Sequence, residues 1–302
     1  MTEHAVDPAA EGRHVPDPDQ LWNESWYADV VTASGVAAYV RLGLYPNLGV
    51  AWWHVAVVGP DRPVVVCQRP DLPVPPHGLA VASGDVDIAL GIDKELESFS
   101  VRGSMGGVRH SAAADIYAGK SGEPVPVELD LTWSTDGVPF QYAVTTRYEI
   151  PCAVTGTVTI AGESIRLDGP GQRDHSWGVR DWWSFGWCWS SGHLDDGTHT
   201  HLTEVRADGG PFYAGYVQRD GELRAVASGA VTEELSDHGF PRGATVRHDD
   251  LVVDVEPIAF GPILLTSPDG RVGHFPRAAA RFTAADGRTG VGWIEWNQPP
   301  LP

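Results

Sequence analysis

The chain has 302 residues, and 42% of them are hydrophobic, which is enough to build the cores of two compact domains or of one large β-sheet body. Its 40 acidic residues outnumber its 21 basic residues, and the net charge of −19 argues against nucleic acid and anionic membrane surfaces as partners. Cys67, Cys152 and Cys188 are odd in number and form no CxxC pair, so the sequence predicts reduced thiols in a cytoplasmic protein.

The N-terminal residues 1–20 carry acids and prolines but no apolar run. We therefore expect a flexible arm there, and neither a signal peptide nor a membrane anchor. No stretch elsewhere approaches the roughly 18 consecutive apolar residues that a membrane-spanning helix needs, so we expect no membrane insertion.

Alternating patterns are the main secondary-structure signal. Residues 36–44 and residues 127–133 place apolar side chains at every second position, which is typical of half-buried strands. Asp-Gly pairs recur along the chain and supply the positive-φ positions of tight hairpins, whereas 24 prolines and 35 glycines interrupt most candidate helices. The sequence therefore predicts an all-β protein.

The segment Asp168–Gly171 lies near the middle of the chain and is the most natural seam. We predict two antiparallel β-barrel domains, residues 21–167 and residues 168–302, after the arm of residues 1–20. Ligand sites prefer such interfaces, so a site is expected beside the seam.

The stretch from Arg173 to Trp183 contains two acids, two arginines, a histidine and three tryptophans, and Trp187 and Trp189 follow it. A carboxyl group among tryptophans loses solvation, which raises its pKa, so Asp174 is a candidate proton donor. His175 is suited to orienting the donor or a water molecule. Two other interpretations stay open: the charged residues form a buried ion-pair network, and the tryptophans fill a core.

Three segments carry a family resemblance: Gly171–Trp182, Arg41–Asn47 and Gly292–Asn297. Together they resemble the hydroxyneurosporene synthase (carotenoid 1,2-hydratase) and AttH-like superfamily, most closely an actinobacterial branch of it. The resemblance implies two lipocalin-like β-barrel domains. It also implies a group that includes hydratases of isoprenoid double bonds, cyclases and enzymes that steer pericyclic reactions, so family alone does not determine the reaction.

In the hydratases of that superfamily a His-x-Trp pair matches His175 and Trp177, and a carboxylate on a strand just downstream donates the proton. The matching position here is Glu204, where the family has an aspartate, and Leu202 stands where the family has a tyrosine. Four tryptophans are predicted to hold the substrate and to stabilise developing positive charge through cation–π contacts. They are Trp177, Trp183, Trp187 and Trp189.

A strand from Thr198 to Arg206 would place Glu204 on the face opposite to His199 and His201. If Glu204 faces the pocket, the two histidines face solvent or the other domain. His199 and His201 are alternative metal ligands, because His-x-His on a barrel strand presents two imidazoles on one face. The interval to Glu204 is shorter than in cupin metal sites, and we predict no metal and no cofactor.

These observations predict a cofactor-independent hydro-lyase that hydrates or dehydrates a terpenoid or isoprenoid alcohol or alkene. Glu204 or Asp174 would protonate the substrate to give a carbocation-like intermediate. Two alternatives stay open: a cyclase or pericyclic catalyst in the same cavity, and a protein that binds a hydrophobic ligand without changing it. Each of them has a small hydrophobic molecule as the partner.

Overall fold

The computed structural model describes residues 4–207, 209–236 and 239–299. Strands account for 64% of the structure and helices for 4%, which confirms the all-β prediction. The helical elements are α1 (Ala114–Tyr117) and two 3-10 turns, Pro8–Glu11 and Pro46–Leu48. Within the described ranges, no helix has the length and apolar character needed to cross a membrane.

The first sheet has twelve strands. They are β1 (Trp22–Val31), β2 (Ala37–Tyr45), β3 (Val50–Val58), β4 (Val64–Pro73), β5 (Ala80–Ser83), β6 (Val86–Lys94), β7 (Ser98–His110), β8 (Glu123–Thr135), β9 (Phe140–Gln141), β10 (Arg147–Ile160), β11 (Glu163–Arg166) and β12 (Gly169–Val179). Eight of them, β1, β2, β3, β4, β7, β8, β10 and β12, pair in a closed antiparallel ring. Closure gives each strand of the ring a hydrogen-bonded neighbour on both sides, although β4 and β7 pair only over Val64–Val66 of β4.

Strand β12 carries the charged, tryptophan-rich motif, and it pairs with β1 on one side and with β10 on the other. The motif therefore belongs to the first sheet, although we expected it at the start of the second barrel. Without β12 the ring would leave β1 and β10 as open edges, which is the physical reason for this placement. The domain boundary between residues 167 and 168 stays a prediction.

The second sheet has nine strands in a meandering order. They are β13 (Gly186–Leu194), β14 (His199–Ala207), β15 (Gly210–Arg219), β16 (Glu222–Ala225), β17 (Gly229–Glu234), β18 (Gly243–His248), β19 (Leu251–Phe260), β22 (Arg277–Ala284) and β23 (Thr289–Asn297). A separate hairpin consists of β20 (Ile263–Thr266) and β21 (Val272–Phe275). The sheet curls until β17 approaches β14, where the Val231 amide donates a hydrogen bond to Glu204 Oε2.

Each sheet encloses an apolar core, and a third apolar cluster joins the two sheets. The joining cluster includes Tyr27 and Tyr39 of the first sheet and Trp189 and Trp293 of the second. Strand β2 is buried along its whole length because one face lies in the first core and the other lies against the second sheet. Large aromatic contacts of this kind hold two layers in one orientation.

The N-terminal segment is attached to the first sheet through several residues, among them Glu11 and His14. Glu11 is buried and accepts a hydrogen bond from Arg173 Nη1 at 2.8 Å. His14 stacks on Trp177 with ring centroids 3.8 Å apart. The segment that we expected to be a loose arm is therefore packed against the sheet at Glu11 and His14.

Candidate active site

A cavity of about 170 Å³ lies where the two sheets face each other. The first sheet and the loop before β10 contribute Ser25, Tyr27, Arg41, Tyr142, Arg147, Asp174 and Ser176, and the second sheet contributes Trp187, Thr203, Val205, Phe212, Arg277 and Glu295. Residues 180–185 between the sheets complete the wall with Arg180, Asp181, Trp182 and Phe185. Aromatic surface beside buried charge is the usual setting of a ligand site with acid–base chemistry.

Asp174 is the predicted catalytic residue that the structure places in this wall. Arg147 Nη2 donates a hydrogen bond to Asp174 Oδ2 at 2.8 Å. Burial raises the pKa of Asp174 to about 7, because loss of solvent and the nearby Glu149 and Glu295 outweigh the opposing charge of Arg147. The carboxyl group is therefore able to carry a proton near neutral pH, as acid catalysis requires.

The alternation of β12 divides the motif between two faces of the sheet. Asp174 and Ser176 border the cavity. His175 lies on the opposite face, where its ring stacks on Trp26 at 4.4 Å inside the first core. His175 Nε2 is 3.0 Å from Glu24 Oε1, so the structure does not bring His175 and Asp174 into one site.

Glu149 is a buried residue that the sequence analysis missed. Its carboxylate accepts hydrogen bonds from Arg147 Nε at 2.7 Å, Trp189 Nε1 at 3.0 Å and Gln172 Nε2 at 3.0 Å. Burial alone would raise the pKa of Glu149, but the charge of Arg147 and these donors hold it below its usual value. The ionised Glu149 in turn raises the pKa of Asp174. No local motif marks Glu149, because its partners come from distant strands.

Tyr142 and Thr203 give the cavity a hydroxyl pair. Burial lowers the pKa of His201 to about 4, so its imidazole is neutral at neutral pH. His201 Nδ1 donates to the Ser190 carbonyl at 2.9 Å, which leaves Nε2 to accept from the Tyr142 hydroxyl at 2.5 Å. Thr203 Oγ1 then donates to the Tyr142 oxygen at 2.8 Å. The two hydroxyls provide a polar position for a water molecule on the wall.

Glu204 does not border the cavity. It accepts hydrogen bonds from Arg206 Nε and from the Val231 amide, both at 2.9 Å, so its carboxylate joins β14 to β17. Its neighbours Thr203 and Val205 face the cavity, as alternation along β14 requires. His201 shares the face of β14 with Thr203 and Val205 and packs against the first sheet, so the condition stated from the sequence, a Glu204 that faces the pocket, is not met. The geometry does not support Glu204 as the donor for this cavity.

Only Trp187 of the four predicted substrate-binding tryptophans borders the cavity. Trp177 stacks on His14, Trp183 donates to the Leu265 carbonyl, and Trp189 donates to Glu149. Trp183 precedes β13 and therefore does not share a strand face with Trp187 and Trp189. Two other wall residues, Trp182 and Phe185, come from the same turn.

The predicted alternative metal ligands do not converge. His199 Nδ1 lies 2.8 Å from His193 Nδ1, whereas His201 bonds Tyr142. Across the described ranges, one group has the spacing of metal ligands: His14, Glu24 and His175, whose ligand atoms lie within 4.8 Å of one another. Both imidazoles already contact Glu24 Oε1, at 2.7 Å and 3.0 Å. This group lies in the first sheet and away from the cavity.

Comparisons with known proteins give a family and a fold. A family model described as Domain of unknown function (DUF7064) matches residues 7–300. A comparison with curated protein sequences finds no significant match.

Solved structures share the fold at low sequence identity. The AttH-like protein NE1406 of Nitrosomonas europaea is 16% identical, with a TM-score of 0.65 and 98% of each chain covered. Kievitone hydratase of Nectria haematococca is 13% identical, with a TM-score of 0.62, and the match covers 97% of this chain and 93% of that one. CghA in complex with Sch210972 is 13% identical, with a TM-score of 0.57, covering 100% and 97%. The AttH-like neighbour agrees with the sequence resemblance at the level of the fold.

Proposed function

Because the chain belongs to the family described as Domain of unknown function (DUF7064), whose description names no reaction, we propose a function from the cavity itself. The protein is a hydratase or dehydratase of a small, largely apolar molecule. The observation that carries this proposal is a buried carboxyl group, Asp174, with a pKa raised to about 7 in the wall of the cavity. The name of the structural neighbour kievitone hydratase supports the reaction class, while fold alone does not determine it.

In the hydration direction, the Asp174 carboxyl group transfers its proton to one carbon of a double bond. The oxygen of a water molecule bonds to the other carbon, and the proton that this water releases restores the Asp174 carboxyl group. The net change is the addition of one water molecule, and dehydration is the reverse. Tyr142 and Thr203 are positioning residues in this scheme, because their hydroxyls face the cavity where the water would be held.

The charge of the wall restricts the substrate. Four arginines border the cavity: Arg41, Arg147, Arg180 and Arg277. Arg147 and Arg277 are paired with carboxylates, whereas Arg41 has no carboxylate within 4.0 Å in the described ranges. Two like unit charges 4 Å apart repel each other by about 4 kcal/mol at an effective dielectric constant near 20, so Arg41 opposes a full carbocation next to it. It favours a double bond conjugated to a carbonyl group, because negative charge then develops on oxygen. The proposal therefore replaces the isoprenoid cation expected from the sequence with an α,β-unsaturated carbonyl compound or its β-hydroxy counterpart.

The test is turnover in isotopically labelled water. Purified protein is incubated with a panel of α,β-unsaturated ketones, β-hydroxy ketones and isoprenoid alkenes in heavy water enriched in ¹⁸O, and the products are analysed by mass spectrometry. We expect one deuterium on carbon and one ¹⁸O for hydration. Asp174→Asn should abolish both signals, while Asp130→Asn, a change at a carboxylate with 70% of its side chain exposed, should keep them.

Two other results separate the alternatives. Conversion without isotope incorporation that survives Asp174→Asn would identify a cyclase or pericyclic catalyst. Binding without conversion of any compound in the panel would leave a non-catalytic hydrophobic-ligand protein. Either result rejects the hydro-lyase.

A further inference from the structure

Arg41 of β2 is a buried cation with unused hydrogen-bond donors. Its side chain borders the cavity, and the residue is 3% exposed. Neither Nη1 nor Nη2 has a hydrogen-bond partner in the part of the chain that the structure describes. Burial raises the pKa of the Tyr45 hydroxyl, and the charge of Arg41 and a weak side-chain contact with it oppose that rise. The contact does not have hydrogen-bond geometry, so the Tyr45 hydroxyl is also unpartnered within the described ranges. Leaving a charged group buried and unpaired costs several kcal/mol, so an unpaired guanidinium in a cavity wall indicates a missing partner.

The carboxylates of the wall are already paired with other arginines. Asp174 accepts from Arg147, and Glu295 from Arg277. Asp181 Oδ1 is 3.4 Å from Nη1 of Arg271, and Arg271 itself does not border the cavity. Within the described ranges Arg41 has no carboxylate within 4.0 Å. The wall therefore has a positive charge with no carboxylate in direct contact among the described residues.

The guanidinium group of Arg41 has close neighbours at Trp182 and Gly43. Its central carbon lies 4.9 Å from the centre of the Trp182 ring, which also borders the cavity. The group also lies close to Gly43, where a Cβ atom would be only 2.5 Å from Arg41 Nη1. The absence of a side chain at Gly43 is what makes room for Arg41. A planar fork of donors in a fixed orientation is the arrangement that recognises a two-oxygen anion.

We propose that the natural ligand carries a planar oxyanion, a carboxylate or the enolate of a β-dicarbonyl group, which Arg41 binds through Nη1 and Nη2. The inference rests on the proposed function in taking the cavity as the substrate site, and it does not depend on the reaction. The oxyanion end of the ligand lies at Arg41 and Trp182. The apolar remainder lies against Trp187, Phe185 and Phe212, which form the uncharged part of the wall.

The experiment compares two probes that differ only in charge: 2-naphthoate and 2-naphthylmethanol. Isothermal titration calorimetry of the full chain should give tighter binding of naphthoate than of the alcohol. Arg41→Gln should lower the affinity for naphthoate about tenfold, which corresponds to about 1.4 kcal/mol, and should leave the affinity for the alcohol unchanged. The matched control is Arg281→Gln, which removes a charge from a side chain that is 58% exposed and should change neither affinity.

A second variant tests position rather than charge. Gly43→Ala keeps the net charge but displaces the guanidinium group of Arg41. It should therefore lower the affinity for naphthoate and leave the affinity for the alcohol unchanged. Thermal unfolding of each variant shows that it is folded, and Arg41→Gln should not lower the midpoint, because it removes an unpaired buried charge.

Three results would overturn the proposal: no binding of naphthoate to the wild type, equal affinity for the two probes, or the same loss for both probes in Arg41→Gln. Asp174→Asn separates this inference from the proposed reaction. It removes the proton donor and a negative charge, so naphthoate should bind at least as well as to the wild type. If no compound is hydrated but the naphthoate preference persists, the hydro-lyase fails and the oxyanion site stands.

Discussion

Asp174 and Glu149 are two buried carboxyl groups that share one arginine, and their surroundings shift their pKa values in opposite directions. Glu149 accepts from Arg147, Trp189 and Gln172, and these donors stabilise its anion. Asp174 accepts a hydrogen bond from Nη2 of the same arginine and faces the cavity. Two carboxyl groups whose surroundings push their pKa values apart are the usual arrangement of an acid beside a permanent anion.

The pH dependence of turnover follows from the pKa of Asp174. The donor must be protonated, and its pKa is about 7, so kcat in the hydration direction should be high below that value and fall as the pH rises through it. Measurement of kcat across the neutral range checks this. The control variant Asp130→Asn should show the same decrease of kcat with rising pH. A kcat that rises through neutral pH would exclude Asp174 as the acid.

Substitution of Glu149 should change both activity and stability. Glu149→Gln removes the negative charge that raises the pKa of Asp174, so the fall in kcat should move to lower pH. It also leaves Arg147 with one charged partner instead of two, and breaking a buried pair costs about 3–5 kcal/mol. Urea unfolding measures that loss. Glu123→Gln, at a side chain that is 63% exposed, is the control and should cost less than about 1 kcal/mol.

Alternation along single strands was predictable from the sequence, and contacts between strands were not. The spacing of β14 predicted that His201 and Glu204 face opposite ways, as they do, and the motif drew attention to Asp174, which the structure places in the cavity wall. Glu149, Tyr142 and Arg41 were missed, because each one becomes significant through partners on other strands. A sequence pattern has period two within a strand, but it does not specify which strand lies opposite.

Strand β12 contributes side chains both to the cavity and to the core of the first sheet. Its outer face gives Asp174 and Ser176 to the cavity, while its inner face gives His175 to the first core. The Asp168–Gly171 segment was interpreted as a seam because glycine and proline usually mark loops. The glycines have another function here. A Cβ at Gly171 would lie 2.1 Å from the Asp29 carbonyl, so glycine permits close pairing of β12 with β1.

Gly171→Ala should therefore destabilise the fold. The added methyl group meets backbone rather than a flexible side chain, so β12 has to move away from β1, and we expect a loss of at least about 2 kcal/mol in the free energy of unfolding. Urea denaturation measures the change. Gly209→Ala is the matched control, because no atom lies within 4 Å of the added group. Equal stability of the two variants would contradict the close pairing.

Asp29 of β1 makes the pairing of these strands sensitive to pH. Its carboxyl group accepts from the Gln172 amide at 2.9 Å and from the Tyr27 hydroxyl at 2.8 Å, and burial raises its pKa to about 8. The folded state then holds a proton that the unfolded state releases above its ordinary pKa near 4. Stability should fall as the pH rises from about 4 to about 8. Thermal unfolding across this range measures the slope, and Asp29→Asn should reduce it.

At the scale of the whole molecule, the cavity exists because two barrel-like sheets pack with an aromatic layer between them. Trp293 of the second sheet donates to the Val30 carbonyl at 3.2 Å, and Tyr39 of the first donates to the Gly261 carbonyl at 3.0 Å. Composition and alternation predicted two β bodies with a site between them. The assignment of strands to each body requires pairing over long distances in the sequence, and for that reason the motif was placed in the wrong sheet.

The net charge of −19 opposes the approach of an anionic ligand, whereas the proposed oxyanion site attracts it at short range. Salt shortens the screening length from about 30 Å at 0.01 M to about 8 Å at 0.15 M, which weakens the repulsion by distant surface charges. The contact with buried Arg41 is screened much less. In stopped-flow fluorescence, the association rate of 2-naphthoate should rise with added salt, while its dissociation rate changes little. The uncharged 2-naphthylmethanol should show no salt effect on either rate, and a naphthoate association rate that falls with salt would mean that local positive charge, rather than the net charge, controls the approach.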